Sequence, residues 1–183
     1  MAKKAKGKLL FPEMNTAHYG NGRRSKPLFL PKVLNSVSSD KRITETSNYK
    51  TAYEIISKWA DLETRGLLDT RKESNIEQSF VNEVFEQALG YTPFTENNKE
   101  EWDIDPKYAI NGGFADIALG SFSQKKKNAP DVVVELKGST VNVDRDRFDG
   151  RTAVSQCWDY LYNLPDCQWG NSLQFREFPA LSS

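Results

Sequence analysis

The chain has little sulfur and almost no imidazole: two cysteines and one histidine in 183 residues. His18 sits in a Gly/Asn-rich basic segment, far in sequence from Cys157 and Cys167. Three such residues cannot supply the four ligands of a structural zinc site. Ser-His or Cys-His catalysis would rest on that same isolated histidine. With no secretory context the two thiols are expected to be reduced, in a cytoplasmic protein. No run of about 18 apolar residues occurs, so no membrane span is expected. The N-terminal lysines are followed by no apolar stretch, so no secretory signal is expected.

What is present suffices for a packed domain. Apolar residues make up 38% of the chain, with 10 Phe, 7 Tyr and 4 Trp, and the mean hydropathy of -0.66 predicts a soluble protein. The net charge of zero conceals an asymmetry. Residues 1–50 carry 11 Lys/Arg against three Asp/Glu, a net +8; residues 51–183 carry 14 against 22, a net −8. A basic arm ahead of an acidic domain suits polyanion binding, and a solvated tail has the same composition.

The pattern divides the chain into a basic, irregular arm over 1–50, a domain over 51–170 and a poorly defined tail over 171–183. Residues 1–10 read as a disordered start, and 11–48, rich in Pro, Asn, Ser and Gly, as an irregular or wrapping segment. From Thr51, the residues Ala52, Ile55, Ile56, Trp59 and Leu62 recur at helical spacing up to Gly66. A second helix is predicted from Ser74 as N-cap to Leu89, with Gly90 as its stop and an apolar face of Ile76, Phe80, Val81, Val84, Phe85 and Ala88. Residues 108–110 and 114–119 flank Asn111-Gly112-Gly113, a hairpin signature. Residues 121–128 read as a loop tip. Asp131 to Lys137 is a third strand whose triple valine predicts burial on both faces. Thr152 caps a third helix to Asn163, packed through Ala153, Val154, Cys157, Trp158 and Leu161, and Gln168 to Phe178 is a candidate last strand. The order predicts an α/β fold, a small mixed sheet flanked by helices.

Chemistry concentrates at Glu135-Leu136-Lys137. Side chains two apart on a strand share a face, so an acid and a base stand side by side while Leu136 points into the opposite, packed face. Such a pair is costly unless both reach water, a metal or each other. Asp131 lies about 13 Å along the same strand, too far to share a cation with Glu135, and reads as a strand-start residue. Asp116, mid-strand among Ala115, Ile117 and Ala118, comes opposite Glu135 if the two strands pair; a buried aspartate satisfied by backbone donors is the other reading. Glu77 has two readings as well. Ser74-Asn75-Ile76-Glu77 fits a capping box, and the same glutamate could reach the sheet from its helix. Gln156 and Tyr160, four apart, share a helix face.

Asp116, then Glu135-x-Lys137, then Gln156-x3-Tyr160, preceded by a helix bearing Glu77, resembles the PD-(D/E)XK nuclease core, its Gln-x3-Tyr element being similar to that of the RecB-like branch. The stretches Phe80 to Gly90, Gly113-Phe-Ala-Asp-Ile-Ala-Leu-Gly120 and Arg151 to Tyr160 resemble the N-terminal nuclease region of type IIG restriction-modification enzymes. The resemblance covers residues 51–170. It implies a restriction-endonuclease-like fold and a metal-dependent DNA endonuclease. Asp116 and Glu135 would bind Mg²⁺ (Mn²⁺ substituting), the Leu136 carbonyl would complete the sphere, and Glu77 would be an outer or second ligand. Lys137 would orient the attacking water, and Gln156 and Tyr160 would hold the substrate strand. The basic arm with Arg145, Arg147 and Arg151 would contact phosphates. No methyltransferase motif and no target-recognition region follow, so the chain reads as a cleavage module or fragment, with methyltransferase and target-recognition domains or subunits as partners; a homodimer is left open. A cleavage-silent DNA-binding or regulatory module is the competing reading. After Trp169-Gly170 the family's closing strand would be apolar, whereas Asn171-Ser172-Leu173-Gln174 is not.

Overall fold

The computed structural model describes residues 31–96, 100–125 and 129–175, and the chain divides into two units, residues 1–45 and 46–183. Residues 1–30, and with them the disordered start, lie outside the described part. The first unit corrects the irregular reading of 11–48 where it can be compared: α1 spans Pro31–Ser38 and α2 Lys41–Thr44. The reason is local. Proline at the first position of a helix loses no hydrogen bond and arrives with its φ already helical. Asp40 caps α2, its carboxylate accepting from the Arg42 amide at 3.0 Å.

In the second unit α3 runs Ser47–Thr64, four residues earlier than periodicity alone placed its start, because Thr46 caps it through its hydroxyl. Gly66, at φ +66°, follows its end, a conformation that costs glycine nothing. The next helix, α4, spans Glu73–Phe80 with Lys72 at the N-cap and no side-chain cap. Ser74 is therefore inside the helix rather than its cap, and Glu77 lies too far along to serve a capping box. Beyond Phe80 the α-helix widens into a π-helix over Val81–Ala88 instead of continuing unchanged, and Gly90 (φ +80°) follows it.

Four strands form one sheet in the order β1-β2-β3-β4: β1 Glu101–Ile110, β2 Gly113–Ser123, β3 Val132–Lys137 and β4 Trp169–Gln174. β1, β2 and β3 are antiparallel neighbours, and β4 runs parallel to β3, reached through α5 (Ala153–Asn163). The fold is mixed α/β, as expected. The hairpin is longer than its apolar core suggested. β1 begins at Glu101 and carries a register shift between Trp102 and Ile104. Pro106 is tolerated because β1 is an edge strand of this sheet. β4 takes in the polar stretch Asn171–Gln174. It too is an edge strand, exposed at its start, and needs only Leu173 and the adjoining Phe175, 1% exposed, to reach the core.

β3 separates two apolar layers. Val134 and Leu136 join Trp59, Phe80, Val84, Phe85, Ile104, Ile117 and Phe175 on the α3/α4 side. Val133 packs with Ile110, Ala115, Tyr160 and Cys167 on the α5 side. This is the two-sided burial that the triple valine predicted. Complete burial of Leu136 contributes about 2 kcal/mol. On α5 the buried line is Ala153, Cys157 and Tyr160, whereas Trp158, expected in the packed stripe, is 67% exposed. Positions 153, 157 and 160 follow one helical face, and residue 158 is turned about 100° from 157.

Candidate active site

Alternation along β3 sends Leu136 into one core and Glu135 to the α5 side, where this acid is 3% exposed. A carboxylate this deep requires partners. Lys137 Nζ lies 2.6 Å from Glu135 Oε1, and the Tyr160 hydroxyl is 2.9 Å from Oε2. That hydroxyl is also 2.7 Å from the Phe114 carbonyl and accepts from Gln156 Nε2 at 2.9 Å. With one proton to give, Tyr160 divides it between Glu135 and Phe114. Of the two residues expected to face a substrate, Tyr160 engages the Glu135 carboxylate, and Gln156 bonds to the Tyr160 hydroxyl. Thr152 fixes the start of α5 by a reciprocal capping box with Ser155.

The β2–β3 register, Ile117 opposite Val134, continues by one step to put Asp116 opposite Glu135. The backbone ladder gives way there. Asp116 Oδ2 accepts the Leu136 amide at 2.8 Å, and Oδ1 meets Lys107 Nζ at 2.7 Å. Asp116 thus has a backbone donor, as the second sequence reading expected, on one oxygen, and the Lys107 ammonium on the other. Glu77 Oε1 lies 2.5 Å from that same Lys107 Nζ. The cap reading of Glu77 fails, and its reach to the sheet is realised. Asp131, exposed, begins β3 through its backbone, as the strand-start reading expected: its amide bonds to Leu119, and its carbonyl accepts from Gln168 and Trp169.

Burial raises the Glu135 pKa above the ordinary carboxylate range, the Asp116 charge adds to the rise, and Lys137 and the Tyr160 hydroxyl oppose it. For Lys137 burial pulls downward, but Glu135, with the charges of Glu73 and Asp116, outweighs it and the pKa is raised. Lys107 follows the same pattern, with Asp116 and Glu77 overcoming desolvation. Burial, followed by the Glu135 charge, pushes the Tyr160 hydroxyl strongly upward.

Two residues escaped the sequence reading. Lys107 pairs both acids, and a hairpin folded about Asn111-Gly112 with Ile110 opposite Gly113 places Lys107 opposite Asp116 by counting. Glu73 accepts the Gly138 amide at 2.7 Å just beyond β3; no sequence signal links two residues 65 positions apart.

Arg145, Arg147 and Arg151 are exposed near the N-terminus of α5; Arg151 meets Asp159 at 3.2 Å, and Arg147 reaches the Gly150 carbonyl. A polar cleft of about 200 Å³ between the hairpin turn and α5 is lined by Asn111, Phe114, Arg151, Gln156 and Tyr160. A larger, more apolar cleft of about 390 Å³ is lined by α3, α4 and the turn between them, and contains none of these acids.

Of the expected metal ligands, Glu77 and Asp116 converge on one point, while both Glu135 oxygens are taken up by Lys137 and Tyr160. Among the described residues no three Asp, Glu, His or Cys side chains are grouped to hold a metal ion. Two carboxylates that close on one cation remain a suitable donor pair for Mg²⁺, which commonly takes one or two carboxylates and completes its octahedron with water and phosphate. Among the described residues no helix is long and apolar enough to cross a membrane. Comparison of the chain with protein-family models, with curated proteins and with solved structures found no match.

Proposed function

We propose that the chain is a Mg²⁺-dependent DNA endonuclease module with a PD-(D/E)XK core, acting beside methyltransferase and target-recognition domains or subunits. The observation that carries this reading is the juxtaposition of Asp116, Glu135 and Lys137 where β2 and β3 part, with Glu77 approaching from α4 and Tyr160 from α5.

Glu77 and Asp116 would hold the ion, with Glu135, through the lone pairs that Lys137 and Tyr160 leave it, and the Leu136 carbonyl completing the set. Mg²⁺, or Mn²⁺ in its place, would supply charge to polarise the phosphodiester and would lower the pKa of a bound water. The rest falls to the chain itself. Lys137, tied to Glu135, orients the attacking water and offsets negative charge growing on the phosphoryl oxygens. Tyr160, steadied by Gln156, keeps Glu135 from rotating away. Arg145, Arg147, Arg151 and the basic N-terminal arm contact the DNA backbone, contacts that position without reading sequence.

Conversion of supercoiled plasmid to nicked or linear DNA, followed with Mg²⁺ and with a chelator, tests the reading. Cleavage is expected with Mg²⁺ only. It is expected to fall at least about 100-fold in Asp116→Asn and Glu135→Gln, the scale of losing a group that acts on the transition state, with circular dichroism unchanged. Equal cleavage by either variant would sink the assignment. A second reading, a cleavage-silent DNA-binding module, draws on the absence of a three-ligand group among the described residues. It predicts salt-sensitive DNA binding with no Mg²⁺-dependent cutting.

A further inference from the structure

Lys107 and Lys137 serve neighbouring acids in different ways. Lys137 is 12% exposed at its side chain, is bonded to Glu135, and lies over the Phe148 ring with Nζ 5.8 Å from its centroid. Lys107 is 56% exposed at its side chain, whereas Glu77 and Asp116, which it joins, are each 15% exposed. Its ammonium thus enters from the solvent side and rests between two nearly buried carboxylates carried by different elements, α4 and β2. Its backbone is also unusual. Lys107 holds φ +55° within β1, a region that non-glycine residues enter at a cost and that tends to be retained where a side chain must be aimed.

Without a cation between them, the facing oxygens of Glu77 and Asp116 would repel across a short, poorly hydrated gap. A divalent cation would take those oxygens at 2.0–2.6 Å, leaving no room for an ammonium at the same point. Lys107 stands on a flexible four-carbon stem and is readily rehydrated, so departure is open to it in a way it is not to Lys137.

We propose that Lys107 is a displaceable internal counter-cation: its ammonium holds Glu77 and Asp116 together in the metal-free protein and leaves them when a divalent cation binds. This rests on the reading of Glu77 and Asp116 as metal ligands. It goes beyond that reading by assigning a competitor to the site. Lys107 thereby sets the metal concentration at which the site fills, and it prevents collapse or splaying of the acids until then.

The test is Mn²⁺ binding by the whole chain without DNA, measured calorimetrically and by the electron paramagnetic resonance signal of free Mn²⁺. Lys107→Met keeps the stem and removes the charge; Lys107→Gln replaces it if the methionine variant does not fold. The neutral variant is expected to bind Mn²⁺ about tenfold more tightly than the wild type, within the usual range of coupling between two ligands. Its melting temperature is expected to fall below that of the wild type without metal and to recover at saturating Mn²⁺. Asp116→Asn is expected to lose the binding, which locates the ion. Equal or weaker Mn²⁺ binding by the neutral variant would overturn the proposal while leaving the metal site intact. No Mn²⁺ binding by either protein, or binding that survives Asp116→Asn, would overturn the metal-site reading and this proposal with it.

Discussion

The Glu135–Lys137 pair is the place where a single substitution reports most directly on the site. Glu135 is 3% exposed, and burial already raises its pKa above the usual carboxylate value with Lys137 beside it. Lys137→Met removes the main opposing partner and leaves only the Tyr160 hydroxyl against burial and the Asp116 charge, so the folded-state pKa rises further. A carboxyl whose pKa is higher folded than unfolded favours the fold below the unfolded value and loses that advantage as pH rises through the folded value. The variant is therefore expected to approach wild-type stability near pH 4.5 and to fall about 3–5 kcal/mol short at pH 8, the cost of breaking a buried pair. Urea midpoints of both proteins across that range measure it. A deficit that does not change with pH would mean that Glu135 is ionised throughout or that the loss is one of packing.

At the scale of elements, α5 matters most, because it brings Tyr160 to Glu135. Its first turn is fixed by the Thr152 hydroxyl, which accepts the Ser155 amide at 3.1 Å, and by the Ser155 hydroxyl, which accepts the Thr152 amide at 2.8 Å. Thr152→Ala is expected to lower stability by about 1 kcal/mol, a typical cap loss, read as a lower urea midpoint with unchanged slope. β3, α5 and the Asn111-Gly112 turn were legible in the sequence because each carries a complete local signal: an apolar run, a cap with helical spacing, a turn dipeptide. The start of α4 was not. Ser74 offered a plausible cap, yet the N-cap is Lys72, and that difference of two residues takes Glu77 out of capping-box reach. β4 forms inside the candidate last strand, Gln168 to Phe178, despite the polar Asn171–Gln174, because an edge strand is held by backbone bonds to β3 and needs few buried side chains.

For the second unit taken whole, Cys157 and Cys167 are both buried, and burial raises the pKa of both thiols. Cys157 Sγ lies 3.4 Å from the Ser172 hydroxyl, where α5 packs on β4, and Cys167 Sγ faces the Asp131 carbonyl at the head of β3. A thiol that is both shielded and protonated reacts slowly. At pH 8 both are expected to react with a disulfide reagent only as fast as the unit opens, and within seconds in denaturant. A rapid native phase of one thiol per chain would show that α5 and β4 separate on their own, and would sink the view that the sheet and its α5 layer open together.

The sequence by itself determined the acid-base pair on one face of a strand, its apolar counterpart in the core, and the α/β order of elements, because alternation, helical spacing and turn chemistry act over a few residues. Tertiary structure alone decided which charges share which partner. Asp116 could be placed opposite Glu135 only once the strands paired; Glu77 needed α4 against the sheet; and Lys107, which counting from the hairpin turn sets opposite Asp116, met Glu77 only through that packing. Those contacts join residues 9 to 30 positions apart, and they exist because burying Leu136 and its neighbours brings the acids together, which no local pattern encodes.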